Sequence, residues 1–376
     1  MKKQNLTRRN LLQGLGVCAL AGSTTLGSLA CERSKAADLP KYHLAKYWEA
    51  GEGRTVECKL CPVGCTVAEG DSGHCRARKN IDGKYYAMTY GRPVAIHNDP
   101  IEKKPFNHFL PGTNAMSFGL VGCNLRCRHC QNWQISQAEP GQLRERDISP
   151  KRLVELTRSA GSPTMAFTYN EPTTFPEYIL DCAVAGKSQG IGAVVISNGY
   201  INEQPQKDLA AVLRGYKIDL KGFTEKFYED VCGASLRPVQ DSLVRLKKLG
   251  VWVEIVNLVI PTLNDDENDF QAMSKWIASE LGPDVPIHFT RFHPMYKIRN
   301  LPPTPVSTLE KAREIAASHG IRYAYVGNVM GHKWEHTYCH QCGKMLIERV
   351  GFAVDIKGME NGKCKSCGST IPGVWV

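Results

Sequence analysis

The sequence predicts an α/β protein: a parallel-sheet core of repeated βα units with a small cysteine-rich module on either side. Two observations predict it. Between about residues 114 and 327, short apolar strands alternate with amphipathic helices in six units, with a short seventh strand at 323–326. Repeated βα units of this length imply a parallel sheet. Eleven of the 15 cysteines fall into three groups at CxxC-like spacing, which points to metal sites more than to a disulfide framework. The six units fit a partial TIM-type (β/α)6 barrel; periodicity alone leaves a doubly wound sheet open. At 376 residues, 42% hydrophobic and 22% charged, the chain has room for two or three domains of ordinary soluble composition.

Residues 1–36 read as a leader. Lys2 and Lys3 precede Thr7-Arg8-Arg9-Asn10-Leu11-Leu12, and a mildly apolar run follows to Ala30, the pattern of a twin-arginine export signal. Gln13, Ser23, Thr24 and Thr25 break the run, so it makes a poor membrane span. Cleavage fits at Ser34-Lys35-Ala36, or at Cys31 as an imperfect lipobox. The expected location is the periplasm or a membrane-associated state, with the cytoplasm as the alternative. No transmembrane span is expected in the mature chain.

Residues 50–111 form the N-terminal module. Cys58, Cys61, Cys65 and Cys75 stand in a C-x2-C-x3-C-x9-C pattern among Pro62, Gly64, Gly70 and Gly73. Few large apolar residues surround them, so a metal is expected to hold this lobe together. Four thiolates suit either structural zinc or a second iron–sulfur cluster able to relay electrons. Residues 85–96 then read as strands with a turn at Gly91-Arg92-Pro93.

Residues 112–332 form the barrel. Candidate strands are 116–121, 165–169, 193–197, 216–220, 252–260 and 287–292. Ser149-Pro150 opens the first helix, with proline at its first helical position. Gly190, Gly215, Gly250 and Gly320 are expected to close helices. In a barrel of this type the chemistry sits at the C-terminal ends of the strands. There the sequence places Asn170-Glu171-Pro172, Ser197-Asn198-Gly199, Asp219-Leu220-Lys221, Glu254 with Asn257, and Arg291-Phe292-His293.

The first strand end carries Cys123-x3-Cys127-x2-Cys130. Three thiolates on one tight loop can hold three corners of a 4Fe–4S cube and leave the fourth iron open. Three-quarters of a zinc site and disulfides in an exported chain are the alternatives. The spacing resembles that of the radical S-adenosylmethionine (SAM) superfamily. The stretches 99–112 (DPIEKKPFNHFLPG) and 130–137 (CQNWQISQ) resemble the radical SAM enzymes of the AmmeMemoRadiSam system, relatives of pyruvate formate-lyase activating enzymes.

That resemblance implies cofactors and roles. A 4Fe–4S cluster on Cys123, Cys127 and Cys130 would chelate SAM and, given one electron from a low-potential donor, cleave it to methionine and a 5′-deoxyadenosyl radical acting on an unidentified substrate. A protein substrate fits this pattern. Glu171 would meet the SAM amino group, Ser197 and Asn198 would hold SAM beside the third strand, and Asp219 and His293 would contact it. Two positions depart from the relatives. Ile196 replaces an acidic residue next to a monovalent cation that Asp219 helps to hold in some of them, and Asp219 is free to pair with Lys221 instead. His129 replaces an aromatic residue and is able to titrate.

Residues 333–376 contain Cys339-x2-Cys342-Gly343 and Cys364-x2-Cys367-Gly368, with a strand and hairpin expected at 345–354. Two matching knuckles are the pattern of a zinc ribbon. A rubredoxin-like iron site and paired disulfides are the rivals. His336 and His340 read as exposed bystanders able to stand in as ligands.

The net charge of +10 includes six basic and one acidic residue within 1–36, leaving about +5 without the leader. Metal-bound thiolates bring this near neutral, so nucleic acid is not an expected partner. Two further functions remain open: an activating enzyme for a glycyl-radical enzyme, and a non-catalytic, metal-stabilised binding protein that docks through its zinc ribbon.

Overall fold

Eight strands form the central sheet of the computed structural model, which describes residues 42–376. The leader, Cys18 and Cys31 lie outside the described residues. In chain order the strands are β1 (Ala95–Pro100), β2 (Asn114–Gly119), β3 (Thr164–Phe167), β4 (Gly192–Ser197), β5 (Gly215–Asp219), β6 (Trp252–Val259), β7 (Ile287–Arg291) and β8 (Ala324–Gly327). Between β2 and β8 lie α1 (Pro150–Ser159), α2 (Pro176–Lys187), α3 (Glu203–Ala210), α4 (Arg237–Lys248), α5 (Glu267–Glu280) and α6 (Val306–Ser318), one per crossover.

The spatial order is β8-β7-β6-β5-β4-β3-β2-β1, the chain order without a reversal. All neighbours from β2 to β8 pair parallel, and β1 pairs antiparallel with β2. A doubly wound sheet needs a point where strand order reverses, and none exists here. The strands are buried along their length, as expected where both faces are covered.

The helix punctuation is mostly as the sequence implies. The Ser149 hydroxyl accepts from the Arg152 amide at 3.3 Å and caps α1. Gly190, Gly250 and Gly320 take positive φ beyond helix ends. Gly215 closes no helix. It begins β5, and a Cβ there would lie 3.2 Å from the Phe109 ring and 3.3 Å from Val194, so close packing selects the glycine.

The sheet begins earlier than residue 112. β1 lies in the stretch assigned by sequence to the N-terminal module, because its amides pair with β2 from Ala95↔Gly119 to Pro100↔Asn114. The N-terminal module proper has two small three-stranded antiparallel sheets and its own apolar cluster around Val56, Leu60 and Tyr85. Within 85–96, only 85–87 and 95–96 are strand; the rest turns.

Residues 107–112 act as a strap beneath the sheet. Glu254 accepts the amides of Asn107 and His108 at 2.9 and 2.8 Å and holds the His288 ring at 2.8 Å. Glu254 therefore serves the start of β6, away from the strand ends where the sequence had placed it. The C-terminal tail pairs with the same strap: Leu110 N donates to Val374 O and Val374 N to His108 O, both at 2.7 Å. Arg349, buried, donates to Asn107 O and to the Thr337 hydroxyl, each at 2.7 Å. The three-stranded sheet of the C-terminal module, which contains Met345–Val350, is thereby tied to the strap.

Candidate active site

The cysteine loop after β2 is clamped on several sides. The Asn170 side chain accepts from Leu120 N at 3.0 Å and donates to Gly122 O at 2.9 Å. The Asn132 amide reaches Tyr169 O at 2.8 Å. A π-helical turn, Tyr228–Cys232, takes the other side, where Arg126 N and Arg128 N donate to Cys232 O and Val231 O at 2.9 and 2.8 Å. Cys232, which stands alone in the sequence, is buried at the end of this turn, and its thiol lowers the Cys127 pKa.

Cys123, Cys127 and Cys130 open onto a cavity of ≈ 280 Å³ at the C-terminal ends of the strands. Glu171, Ser197, Asn198 and Asp219 line it, as do Lys104, His129, Lys217 and Lys221. His293 does not. β7 ends at Arg291, the Thr304 hydroxyl fixes Phe292 N at 2.9 Å, and the next residues turn outward and leave His293 exposed.

Glu171 is buried and tied into the scaffold. One carboxylate oxygen accepts from Thr173 N at 2.9 Å and from the Ser197 hydroxyl at 2.6 Å; the other accepts from Asn198 N at 2.8 Å. A carboxylate has about four acceptor positions, so one remains open to the cavity. Burial pushes the Glu171 pKa up, against the pull of these donors. The Asn198 side chain donates to the Asn124 side chain at 2.9 Å and accepts from Tyr200 N at 2.8 Å. It braces β4 against the cysteine loop.

Asp219 faces two ammonium groups. Lys217 bonds one of its oxygens, and Lys221 reaches the other at 3.3 Å. Burial alone would raise the carboxyl pKa, but the two lysines outweigh it and hold Asp219 at about 2. Residues 217, 219 and 221 share one face of the chain because side chains alternate along a strand. Lys217 was the missed member, and its signal was a lysine inside an otherwise apolar strand. Ile196 is paired with Lys217 across the sheet.

His129 is buried against this group. Burial, then the Lys221 charge, push its pKa down to about 3, so the ring stays neutral at ordinary pH. Its Nδ1 has no partner. At the cavity's other wall Asp99 binds Lys104 at 2.6 Å, Lys103 at 2.9 Å and the Tyr169 hydroxyl at 2.5 Å. Burial lowers the Lys104 pKa to about 8.

No disulfide joins the described cysteines. In the C-terminal module Cys339 and Cys367 have sulfurs 3.6 Å apart, and Cys342 and Cys364 have sulfurs 3.7 Å apart. All four sulfurs lie within 4.8 Å of one another. A tetrahedral ion with metal–sulfur bonds of ~2.3 Å needs sulfurs ~3.8 Å apart, and this group meets that requirement. His340 and His336 are not exposed bystanders. Tyr323 holds His340 Nδ1 at 2.8 Å, and His336 Nδ1 accepts Arg349 N at 3.0 Å.

The Radical SAM superfamily profile matches residues 119–273, from the end of β2 into α5. The chain thus carries a radical SAM domain and is a radical SAM enzyme. It is 43% identical to an uncharacterized protein of Methanocaldococcus jannaschii over 329 residues, 87% of this chain and 98% of that one. It is 28% identical to the pyruvate formate-lyase-activating enzyme of Clostridium pasteurianum over 174 residues, 44% of this chain and 70% of that one. SuiB of Streptococcus suis, in its structure bound to S-adenosylmethionine, is 11% identical over 64% of this chain and 56% of its own, with a TM-score of 0.45. That likeness is too slight to carry function.

A radical SAM domain implies SAM and a 4Fe–4S cluster. The donor set fits the cluster. Among the described residues only the C-terminal four have ligand atoms all within 4.8 Å of one another. The sulfurs of Cys123, Cys127 and Cys130 are therefore spread too widely for a single tetrahedral ion, and a larger group with several iron corners suits them.

Proposed function

We propose that the enzyme cleaves SAM reductively at a cluster held by Cys123, Cys127 and Cys130, within an open (β/α)6 barrel. The observation that carries this is the opening of all three thiols onto one cavity whose lining comes from all seven parallel strands, β2 to β8, or the residues just beyond them. When bound, the cluster supplies one electron that splits SAM into methionine and a 5′-deoxyadenosyl radical, which takes a substrate hydrogen.

The chain's own residues bind and orient. The open acceptor position of Glu171 suits the SAM amino group. Ser197 and Asn198 fix that carboxylate and the cysteine loop relative to each other. Lys217 and Lys221 already neutralise Asp219, so no monovalent cation is needed there. The neutral ring of His129 offers an apolar face and one unpaired ring nitrogen.

A second cavity of ≈ 280 Å³ shares Pro105, Thr290 and Asn328 with the first and reaches Arg349 and Phe352 of the C-terminal module. We assign substrate entry there. The C-terminal cysteines are read as a zinc ribbon, and residues 1–36 as a twin-arginine export leader. No helix among the described residues is long and apolar enough to cross a membrane. The likeness to a pyruvate formate-lyase-activating enzyme favours a second reading, activation of a glycyl-radical partner, which a glycyl radical on a co-expressed partner would reveal. The test of the main reading is anaerobic reconstitution followed by assay of 5′-deoxyadenosine from SAM and dithionite. Absence of product with the cluster in place would favour a non-catalytic binding protein.

A further inference from the structure

The N-terminal cysteines form a group unlike the C-terminal one. Cys58, Cys61 and Cys75 are buried and Cys65 half-buried. Cys58 interacts electrostatically with Cys65, and Cys75 with both. Cys61 interacts with Cys75 and Cys58. Cys58 N also donates to Cys65 O at 2.8 Å, so the four cysteines lie close together in one small lobe. Yet no three of these sulfurs lie within 4.8 Å of one another, since among the described residues only the C-terminal group does. Closure around one ion requires sulfurs ~3.8 Å apart. The opening here suits a larger guest, as does the uneven spacing, which lacks paired knuckles.

The Tyr85 hydroxyl supplies an independent observation. Tyr85 is 0% exposed and its hydroxyl has no hydrogen-bond partner. It feels Cys75, Cys58 and Cys65 together. A Cβ built on Gly73 would lie 2.3 Å from this hydroxyl and 3.9 Å from the Cys65 sulfur, so both flank the same backbone atom. A buried donor left unpaired is unfavourable. Aimed among four thiols, it calls for a sulfur acceptor. His74 N already donates to Cys65 Sγ at 3.4 Å.

This group also touches the loop of the candidate active site. Gly122, which precedes Cys123, has φ +91°, and a Cβ there would lie 2.4 Å from Cys75 O. Arg126 donates to His74 O. Residues beside the ligands of one group therefore contact ligands, or their chain neighbours, in the other.

We infer that Cys58, Cys61, Cys65 and Cys75 hold a 4Fe–4S cluster that passes single electrons to the cluster on Cys123, Cys127 and Cys130, with Tyr85 donating to its sulfur. This rests on the SAM-cleavage reading for the accepting site. One electron enters from a low-potential one-electron carrier and one leaves to the neighbouring cluster; no covalent bond changes in the transfer.

The test uses the full chain, reconstituted anaerobically, with labile sulfide and zinc counted per chain. The wild type is expected to carry about eight labile sulfides, and the variant with Cys123, Cys127 and Cys130 all changed to Ala about four. Zinc with no labile sulfide in that triple variant overturns the assignment. Four sulfides in both proteins would instead sink the SAM-cleavage reading, and the relay with it, while leaving the N-terminal cluster standing. On dithionite reduction, the wild type should show two paramagnetic signals broadened by each other, and the triple variant one sharp signal. Eight sulfides with unbroadened signals would overturn the relay. Tyr85→Phe, which keeps the ring and the fold, should lower the potential of one signal only; an unchanged potential would remove Tyr85 from the site.

Discussion

The Ser197 hydroxyl donates to the Glu171 carboxylate at 2.6 Å, linking the end of β4 to the turn after β3. Two residues expected to touch SAM thus first hold each other. Ser197→Ala removes a buried bond to a charged acceptor, which contributes about 1.5–3 kcal/mol. The variant should unfold at lower denaturant and bind SAM more weakly. Unchanged midpoint and unchanged SAM affinity would show that the bond orders nothing.

Lys217 pairs with Asp219 and stands opposite Ile196 across the sheet. Lys217→Met keeps the length and removes the charge, leaving Asp219 with Lys221 alone. Wild-type SAM cleavage should be indifferent to sodium and potassium at constant ionic strength, whereas the variant should gain activity with one of them. A cation requirement in the wild type would contradict the role given to Lys217.

His108 makes stability fall in acid. Pro372 O can only accept, so the 2.6 Å contact places the proton on Nδ1, and Nε2 then accepts from the Tyr325 hydroxyl at 2.6 Å. Burial pushes the His108 pKa down to about 4, from 6.5 in the unfolded chain. The unfolded state binds the extra proton between these values, so stability is full above pH 6.5 and declines toward pH 4, by about 3 kcal/mol. Acid also releases thiolate-bound metal, so the comparison is with His108→Gln, whose midpoint should change less between pH 7 and 5. Parallel profiles would exclude His108.

The C-terminal group should bind one ion independently of the clusters. Cys339→Ser together with Cys367→Ser should remove about one zinc per chain and leave labile sulfide unchanged. Loss of both would mean the modules do not load separately.

The buried Cys232 thiol lies beside Cys127 and lowers its pKa, and donors to cluster sulfurs help set the potential. Cys232→Ala should shift the potential of the Cys123–Cys130 cluster to a more negative value, read by redox titration of its signal. No shift would show that the thiol does not bond to the cluster.

Sequence spacing was informative where chemistry is local. The three cysteine groups, the six βα units and the strand-end positions of Glu171, Asn198 and Asp219 all appear where the periodicity puts them. Partnerships across long separations were not legible. Nothing in the chain near Asn198 announces Asn124, 74 residues earlier, and nothing near Cys232 announces Cys127. Lys217 was hidden because a lysine in a strand reads as a surface residue until its neighbours show it buried. His293 follows a strand end by two residues, and only the direction of the next turn decides its side. Gly215 showed the opposite ambiguity, since a glycine selected for close packing has the same letter as one that ends a helix.

The central claim is that the loop of Cys123, Cys127 and Cys130 carries the SAM chemistry. The direct measurement is the yield of 5′-deoxyadenosine from SAM and dithionite, in reconstituted wild type and in Cys127→Ala. The wild type should give 5′-deoxyadenosine and methionine in equal amounts; the variant should give none while keeping its C-terminal metal. Full cleavage by Cys127→Ala would contradict the account.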